Sequence, residues 1–249
     1  MSRRTIFGLI GLMLITAAAA LAVLPARWLM AVVPSSWPLS IAHASGSIWS
    51  GSATIAIGPP AHRRIVPEPL RWHWSFSHGP RMELEHPWLS GPLTVAFSPS
   101  GVGISAQTLR LPAQALATLD ARIAAIGPTG DLSVAWPALH IGHQPGPPGM
   151  SLLNAEWRDA GSALTPVHPL GHYTLSLKQG TNANTELTLN THAGPLMLEG
   201  KGVLDARQNL RFQGTAQADP AAGTDIHAAL QDLLDALGPR QNKLTLLHY

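Results

Sequence analysis

The sequence predicts a mainly β protein, in which a single N-terminal transmembrane helix is followed by an antiparallel curled or sandwich-like β domain with two short helices. One observation is an uncharged apolar run near the N-terminus that is about 19 residues long, close to the length that spans a bilayer. Another is a series of short segments in which apolar and polar residues alternate with period two, as in half-buried strands. The third is the abundance of glycine (23) and proline (22) between those segments, which favours turns over long helices.

The N-terminal segment has the features of a membrane anchor. Thr5–Ala26 carries no charged side chain, and Ile6–Leu24 is its apolar core. Arg3 and Arg4 precede the core and are expected to hold the N-terminus in the cytoplasm. Trp28 follows the core, where an aromatic side chain suits the membrane interface. We therefore expect the rest of the chain to lie on the periplasmic side of a bacterial inner membrane.

A cleaved signal peptide is the alternative interpretation of the same segment. "AAAALA" (17–22) contains A-x-A patterns after an apolar stretch. The length of the apolar core and the apolar residues that follow the A-x-A stretch, Leu24, Trp28, Leu29 and Met30, favour retention. Both interpretations export the domain, and they differ only in whether it stays tethered.

Composition excludes several functional classes. Charged residues make up 12% of the chain, about half the usual 25% or so. Three of the 16 Lys and Arg residues flank the anchor, which leaves 13 against 14 Asp and Glu in the remainder. Such a near-neutral domain lacks the electrostatic footprint of a nucleic-acid-binding protein. The absence of cysteine excludes disulfides, thiolate catalysis and cysteine-based zinc sites.

The chain divides into three parts. Residues 1–27 are predicted to form a cytoplasmic tip and the transmembrane anchor. Residues 28–45 contain Pro34 and Pro38, Pro25 lies just before them, and this segment is predicted to form an extended juxtamembrane linker. Residues 46–249 are predicted to form the periplasmic β domain, with a possible subdomain boundary at "HQPGPPGM" (143–150).

The first strand of the domain combines two glycines with a tryptophan. Alternation begins at Trp49, and Gly51 lies two residues later on the same face of the predicted strand. We expect Gly51 to leave room for the Trp49 indole to lie flat along the sheet, and Gly46 to supply the turn that enters the strand. If Trp49 is fully buried, Trp49→Ala should cost about 3–5 kcal/mol of stability.

The next strand, "LRWHWSF" (70–76), repeats the alternation more strongly. Leu70, Trp72, Trp74 and Phe76 share one face. Two tryptophans at strand spacing could form a ligand platform, but packing in a core is the favoured interpretation. Further strands are predicted in both halves of the chain, with Phe97 among the inward-facing residues. The residues predicted to form the structural signature of the domain are Gly46, Trp49, Gly51, Leu70, Trp72 and Trp74.

Two helices interrupt the strands. Between Pro112 and Gly127, leucines and isoleucines at helical spacing predict one amphipathic helix of about three turns. In "TDIHAALQDLLDALGP" (224–239), Thr224 or Asp225 is predicted to cap a second short helix, which Gly238 ends.

No catalytic set is evident. His140 and His143 are three residues apart without nearby carboxylates, whereas a zinc site needs three or four converging ligands. His73, Glu83 and Glu85 are expected on a polar sheet surface. Motifs for a serine nucleophile, a phosphate-binding loop or a zinc protease are absent. The sequence therefore predicts no enzyme, with no catalytic, cofactor-binding or metal-binding residues and no cofactor.

Several segments together resemble protein N of the bacterial type II secretion system. They are "ASGSIWSGSA" (44–53), "LRWHWSF" (70–76), "GDLSVAWPAL" (130–139), "LEGKGVLDARQNLRFQGTAQADP" (198–220) and "LQDLLDALGP" (230–239). The resemblance implies a non-enzymatic inner-membrane accessory or assembly component that aids export of folded proteins across the outer membrane. It also implies that the partners are other inner-membrane components of that system, the outer-membrane secretin, or both. No catalytic residues are implied.

A second functional hypothesis comes from another class. The AsmA group of envelope proteins also has an N-terminal anchor and repeated glycine-containing strands, and a curved sheet with an apolar inner face could hold acyl chains. Lipid would then be a partner. That group usually builds longer grooves than about 220 residues provide. Bound phospholipid would favour this alternative, and a dry, packed core would disfavour it.

Overall fold

The computed structural model describes most of the β domain and part of the segment that precedes it. The described residues are 12–28 (without 14, 17, 18 and 21), 34, 39–58, 63–118, 121–142, 146–181, 184–205, 207, 209–241 and 244–248. None of the helices in these ranges has the length and apolar character that a membrane crossing requires. Residues 1–11 of the predicted anchor and part of the predicted linker and subdomain boundary lie outside the described residues.

The fold is mainly β, as predicted, and consists of two antiparallel sheets with short helices. In the first sheet the strands are β1 (Leu39–Gly46), β2 (Ser50–Ile57), β3 (Arg64–Ile65), β4 (Leu70–Ser75), β5 (Arg81–Glu85), β6 (Leu93–Ser98), β7 (Gly101–Ile104) and β10 (Leu139–Gly142). Their order is β1-β2-β4-β5-β6-β7-β10, and β3 pairs with β2.

The second sheet takes most of the C-terminal half. Its strands are β8 (Gln107–Pro112), β9 (Pro128–Trp136), β11 (Ser151–Ser162), β12 (Gly171–Gln179), β13 (Thr185–Ala193), β14 (Leu196–Leu204), β15 (Leu210–Ala218), β16 (Arg240–Gln241) and β17 (Leu244–His248). Their order is β16-β17-β15-β14-β13-β12-β11-β9-β8. Because β11 to β15 pair with their neighbours in the chain, this part of the sheet is a meander.

One long bent hairpin joins the two sheets. β7 continues into β8, and β9 continues into β10, while β7 pairs with β10 and β8 with β9. At the bend the Trp136 indole N–H donates a hydrogen bond to the carbonyl oxygen of Ser105 (3.1 Å). The β5–β6 connection also pairs with β8, where the Arg110 N–H donates to the Trp88 carbonyl (2.7 Å). The sheets are therefore joined by the bent hairpin and by the backbone hydrogen bond between Arg110 and Trp88.

Each sheet carries its apolar side chains on one face. In β12, Tyr173, Leu175 and Leu177 alternate with polar residues, and the register places Leu175 opposite Ala155 of β11 and Leu189 of β13. Because side chains at paired positions point to the same side, the alternation in each strand builds one continuous apolar face. The opposite face carries the polar and charged residues.

The predicted three-turn helix is two shorter elements. A 3₁₀ helix forms at Ala113–Thr118, and α1 forms at Ala121–Ile126. The Thr118 hydroxyl donates to the carbonyl oxygen of Ala115 (2.7 Å). Such side-chain bonds to the backbone compete with continuation of an α-helix.

The second predicted helix is a pair of short helices, α2 (Thr224–Ala229) and α3 (Gln231–Leu237). The predicted cap at Thr224 or Asp225 is wrong, because the N-cap is Gly223 and no side chain caps the helix. The helix begins earlier than predicted, and Asp225 lies inside its first turn, where a negative charge favours the helix dipole.

Two buried clusters lie in different parts of the fold. The first-sheet cluster consists of Ala26, Ala53 and Trp72. In the second-sheet cluster, α2, α3 and the β11–β12 connection pack on β14 and β15 through Leu170, Leu196, Ala216, Leu230, Leu233 and Leu234. These clusters fix the helices and the C-terminal end of the predicted anchor to the sheets.

Tyr173 supports the second-sheet cluster with a buried hydroxyl. Its side chain is 4% exposed. The hydroxyl shares its proton between the carbonyl oxygens of Leu170 (3.1 Å) and Leu196 (2.9 Å). Burial raises the pKa of Tyr173 above its usual range, because the phenolate would be desolvated.

Tyr173→Phe is expected to lower the free energy of unfolding by about 1–2 kcal/mol at neutral pH, because both carbonyls lose a donor. The pKa is higher in the folded than in the unfolded chain, so this group stabilises the wild type below pH ~10 and that stability is lost as pH rises further. The Tyr173→Phe variant lacks this pH-dependent contribution to stability. Urea unfolding at neutral pH and above pH ~10 measures both effects. An equal decline of stability with pH in the two proteins would contradict the placement of a buried hydroxyl with a raised pKa at Tyr173.

Candidate functional site

The predicted signature residues lie together at one end of the first sheet. Gly46 ends β1 with φ of 85°, a conformation that favours glycine. The Ser47 N–H donates to the Ser50 carbonyl (2.9 Å), which closes the β1–β2 turn. Leu70 pairs with Ala53 of β2. This geometry sets the register in which the tryptophans approach the turn.

The indole over Gly51 belongs to Trp72 and not, as predicted, to Trp49. A Cβ on Gly51 would lie 2.7 Å from Cζ2 of Trp72. Trp72 is 6% exposed, and its indole N–H donates to the carbonyl oxygen of Ile48 (3.0 Å). Trp49 precedes β2, is half-buried, and accepts a hydrogen bond from the Trp74 N–H (2.8 Å). The pairing of Gly51 with Trp72 across two strands is the reason, and alternation within one strand does not reveal it.

Gly51→Ala is expected to destabilise the domain by about 1–3 kcal/mol, because the new methyl group would overlap the Ser45 carbonyl oxygen and the Trp72 ring. Gly103→Ala is the matched control in the same sheet, since the atoms nearest to its Cβ would be 3.9 Å away. The control should be neutral or slightly stabilising. Thermal or urea unfolding measures both, and equal stabilities would contradict the predicted overlap.

An aromatic cluster extends from the signature to the end of the sheet. It consists of Trp49, Trp74, Phe76 and Phe97. Trp74 stacks on Phe97 (5.2 Å between ring centroids) and on Phe76 (6.0 Å), and Trp49 contacts Phe76 edge-on (5.8 Å). Phe76 and Phe97 lie on the predicted face, but they are 59% and 37% exposed. Phe97 therefore lies on the predicted face beside Trp74 but is only partly covered there, because both rings lie at strand ends.

Away from the two buried clusters, the apolar faces are only half-buried. Strand alternation identifies these residues, but it does not show how far they are covered. They include Leu93, Val95, Ile104, Val134, Leu153, Leu175, Leu177, Leu187 and Leu189. In a closely packed pair of sheets, such side chains would interdigitate and lose almost all contact with solvent. These apolar faces therefore keep exposed surface that another apolar group can cover.

Phe212 forms a second contact between an aromatic ring and glycines, in the second sheet. Its ring lies over Gly200, Gly202 and Gly214, and a Cβ on Gly214 would be 3.0 Å from the Phe212 Cε1 atom. Alternation along single strands does not reveal this patch, although "LEGKG" and "QGTA" carry its glycines. The glycines let the ring lie flat on the sheet.

The polar face of the first sheet carries His73, Glu83 and Glu85, side chains that are suited to acid–base chemistry. The His73 imidazole contacts the Glu83 carboxylate across the two strands (Nε2 to Oε2, 3.3 Å), beside an open cavity of about 390 Å³. His140 is exposed, and His143 lies outside the described residues. In the part of the chain that the structure describes, no three His, Asp or Glu side chains come close enough to hold a metal ion. The arrangement is a paired polar surface.

A larger open cavity of about 970 Å³ lies beside β13, β14 and β15. Asp205 lies on its edge. The Asn209 side-chain amide donates to the Asp205 carboxylate (3.0 Å), and the N–H groups of Asn209 and Arg207 donate to its other oxygen. These bonds lower the pKa of Asp205, the side-chain bond most strongly. The carboxylate organises the β14–β15 turn.

Comparison with known proteins identifies the family. The family model for type II secretion system protein N matches residues 38–244, which is most of the chain and nearly all of the two sheets. No curated protein and no solved structure matches the chain. The chain therefore belongs to the type II secretion system protein N family, and this membership implies that it is a component of type II secretion in the cell envelope.

Proposed function

We propose that the chain is a non-enzymatic accessory or assembly component of the type II secretion system that aids export of folded proteins across the outer membrane. Residues 1–27 anchor it in the inner membrane with the N-terminus in the cytoplasm, and the β domain lies in the periplasm. Its partners are other inner-membrane components of the system, the outer-membrane secretin, or both. The match to the family over residues 38–244 is the observation that carries this proposal.

The exposure of the apolar core of the predicted anchor before Leu24 supports this topology. Four of its apolar side chains are 62–76% exposed, so they do not pack on the domain: Leu12, Met13, Ile15 and Val23. An uncharged segment that is not covered by its own domain needs another apolar environment, and a bilayer provides one.

Site-specific photocrosslinking in secreting cells tests this role. A photoreactive residue replaces Ile65 in the first sheet or Val203 in the second, because these side chains are 65% and 40% exposed. Crosslinks to inner-membrane secretion components or to the secretin, identified by mass spectrometry, are the expected result. The control is the same variant in cells that lack the secretion genes. Crosslinks to none of these components, together with intact secretion after deletion of the gene, would refute the proposal.

Lipid handling, as in the AsmA group, is the second candidate function. The half-burial of the apolar faces favours it, because side chains such as Leu175, Leu187 and Val95 retain exposed surface that an acyl chain could cover. For the same reason we infer a curled arrangement of the sheets rather than a closed sandwich.

Native mass spectrometry of the full chain, released from inner membranes in mild detergent, tests the second candidate. Phospholipid that remains bound after detergent exchange would support it. Leu175→Arg, on the apolar face, should then release the lipid, while Ser176→Arg on the opposite face should not. A protein that is lipid-free in every preparation would refute this candidate and leave the secretion role unaffected.

A further inference from the structure

One end of the first sheet gathers several of its turns. The β1–β2 turn, the β4–β5 turn and the β6–β7 turn all lie there, because Ser50 pairs with His73, Ser75 with Arg81, and Ser98 with Gly101. The C-terminal end of β10 is also there, where Gly142 pairs with Gly101. We call this region the turn end of the first sheet.

The predicted anchor leads directly into the turn end. The Ile48 N–H donates a hydrogen bond to the Leu24 carbonyl (3.0 Å), and Pro25 forms an isolated β-bridge with Ser47. Ala26 is fully buried in the first-sheet cluster. Leu24 is the last residue of the apolar run, so the β1–β2 turn lies where the anchor would leave the hydrocarbon of the bilayer.

The turn end is also the site of exposed apolar side chains. Phe76 (59% exposed) and Phe97 (37%) belong to the aromatic cluster, and Ile141 (60%) lies in the same row across β7. Trp28 (58%) follows four residues after Leu24, in the chain segment that leaves the anchor. Exposed apolar side chains therefore extend across the turn end from β4 to β10, at the end of the sheet that contacts the predicted anchor.

The charge of the turn end suits a membrane surface. Its three turns, residues 46–50, 76–81 and 97–102, contain no Asp or Glu, but they contain His78 and Arg81. Serine hydroxyls fill much of the remaining turn surface. Aromatic rings with small polar groups and a few cations are typical of protein surfaces in the headgroup layer, where carboxylates would be repelled by anionic lipids.

We propose that the turn end of the first sheet rests in the headgroup layer of the membrane that holds the anchor, with the aromatic cluster as its contact. This inference rests on the anchor in the proposed function. The occupant is the lipid surface rather than a protein, because the connection through Leu24 and Ile48 holds the cluster at the membrane. The contact orients the first sheet with its strands pointing away from the membrane, since these strands begin or end at the turn end.

Single-cysteine variants of the full chain test the contact, because the sequence contains no cysteine. Phe76→Cys and Phe97→Cys place an environment-sensitive fluorophore in the aromatic cluster. Ile65→Cys is the matched control, since Ile65 is 65% exposed and pairs with Ala56 at the opposite end of the sheet, about 20 Å along the strand from Ser50. Each labelled chain is reconstituted in vesicles of phosphatidylethanolamine and phosphatidylglycerol that contain a lipid with a quencher near its headgroup.

Several-fold stronger quenching at positions 76 and 97 than at 65, with blue-shifted emission, is the expected result. Equal quenching at the three positions in a chain that resists carbonate extraction would overturn the contact but leave the anchor intact. Loss of the chain from the vesicles on extraction would refute the anchor and the contact together. In cells, crosslinks from position 76 to a protein instead of lipid would also overturn the proposal.

Discussion

Trp72→Ala is expected to lower the free energy of unfolding by about 3–5 kcal/mol, the largest effect of the substitutions considered. The Trp72 side chain is 6% exposed and joins Ala26, Ala53 and their neighbours in the first-sheet cluster. Its removal leaves a cavity, and it also frees the Ile48 carbonyl, which accepts the indole N–H. Urea unfolding of the full chain in mild detergent measures the change.

Two further variants show how much of this loss comes from the hydrogen bond and how much depends on burial of the tryptophan. Trp72→Phe keeps most of the apolar contact and loses the hydrogen bond, so it should cost about 1 kcal/mol through the bond and somewhat more through the smaller ring. Trp28→Ala is the control for an exposed tryptophan, since Trp28 is 58% exposed, and it should change stability by less than about 0.5 kcal/mol. If Trp72→Ala and Trp28→Ala had similar stabilities, the placement of Trp72 in a buried cluster would be wrong.

Leu233→Ala is expected to cost about 2–5 kcal/mol, because the truncated side chain leaves a cavity between α3 and the second sheet. Leu233 is 2% exposed and packs with Leu230, Leu234 and Leu196. Alanine is a better helix former than leucine, so the loss reports on packing and not on the helix itself. Thermal and urea unfolding give the magnitude.

The control for Leu233→Ala is Leu210→Ala in β15, because Leu210 is 42% exposed. That change should cost much less, since little buried surface is lost. Amide hydrogen exchange adds a local test, in which the Leu233 variant should lose protection in α2 and α3 more than in β4 and β5. Uniform loss of protection across both sheets would contradict the separate placement of the two clusters.

Strand content was predictable because each strand has one apolar and one polar face. "LRWHWSF" and "HYTLSLK" alternate without exception, and both form strands in the predicted register of faces. The helices were harder to predict from the sequence. Apolar spacing across 112–127 predicts one helix, but a side-chain bond from Thr118 accompanies a 3₁₀ turn that spacing does not encode.

The structural signature shows the same limit of sequence-based prediction, here for single residues. Gly51 and Trp49 are neighbours in sequence, so the sequence suggested that one accommodates the other. Strand pairing instead brings Trp72 over Gly51 and leaves Trp49 half-buried. Such cross-strand neighbours depend on register and sheet order, which are long-range properties of the chain.

The sequence by itself determined the mainly β class, the alternating faces, the uncharged N-terminal segment and the family of this protein, because these depend on local periodicity, composition and the order of short motifs. Only the tertiary structure decided how far each apolar face is covered, which tryptophan lies in the buried cluster, and that Leu24 contacts the β1–β2 turn through Ile48. The reason is physical: alternation states which side of a strand is apolar, whereas burial depends on what the rest of the chain places against that side.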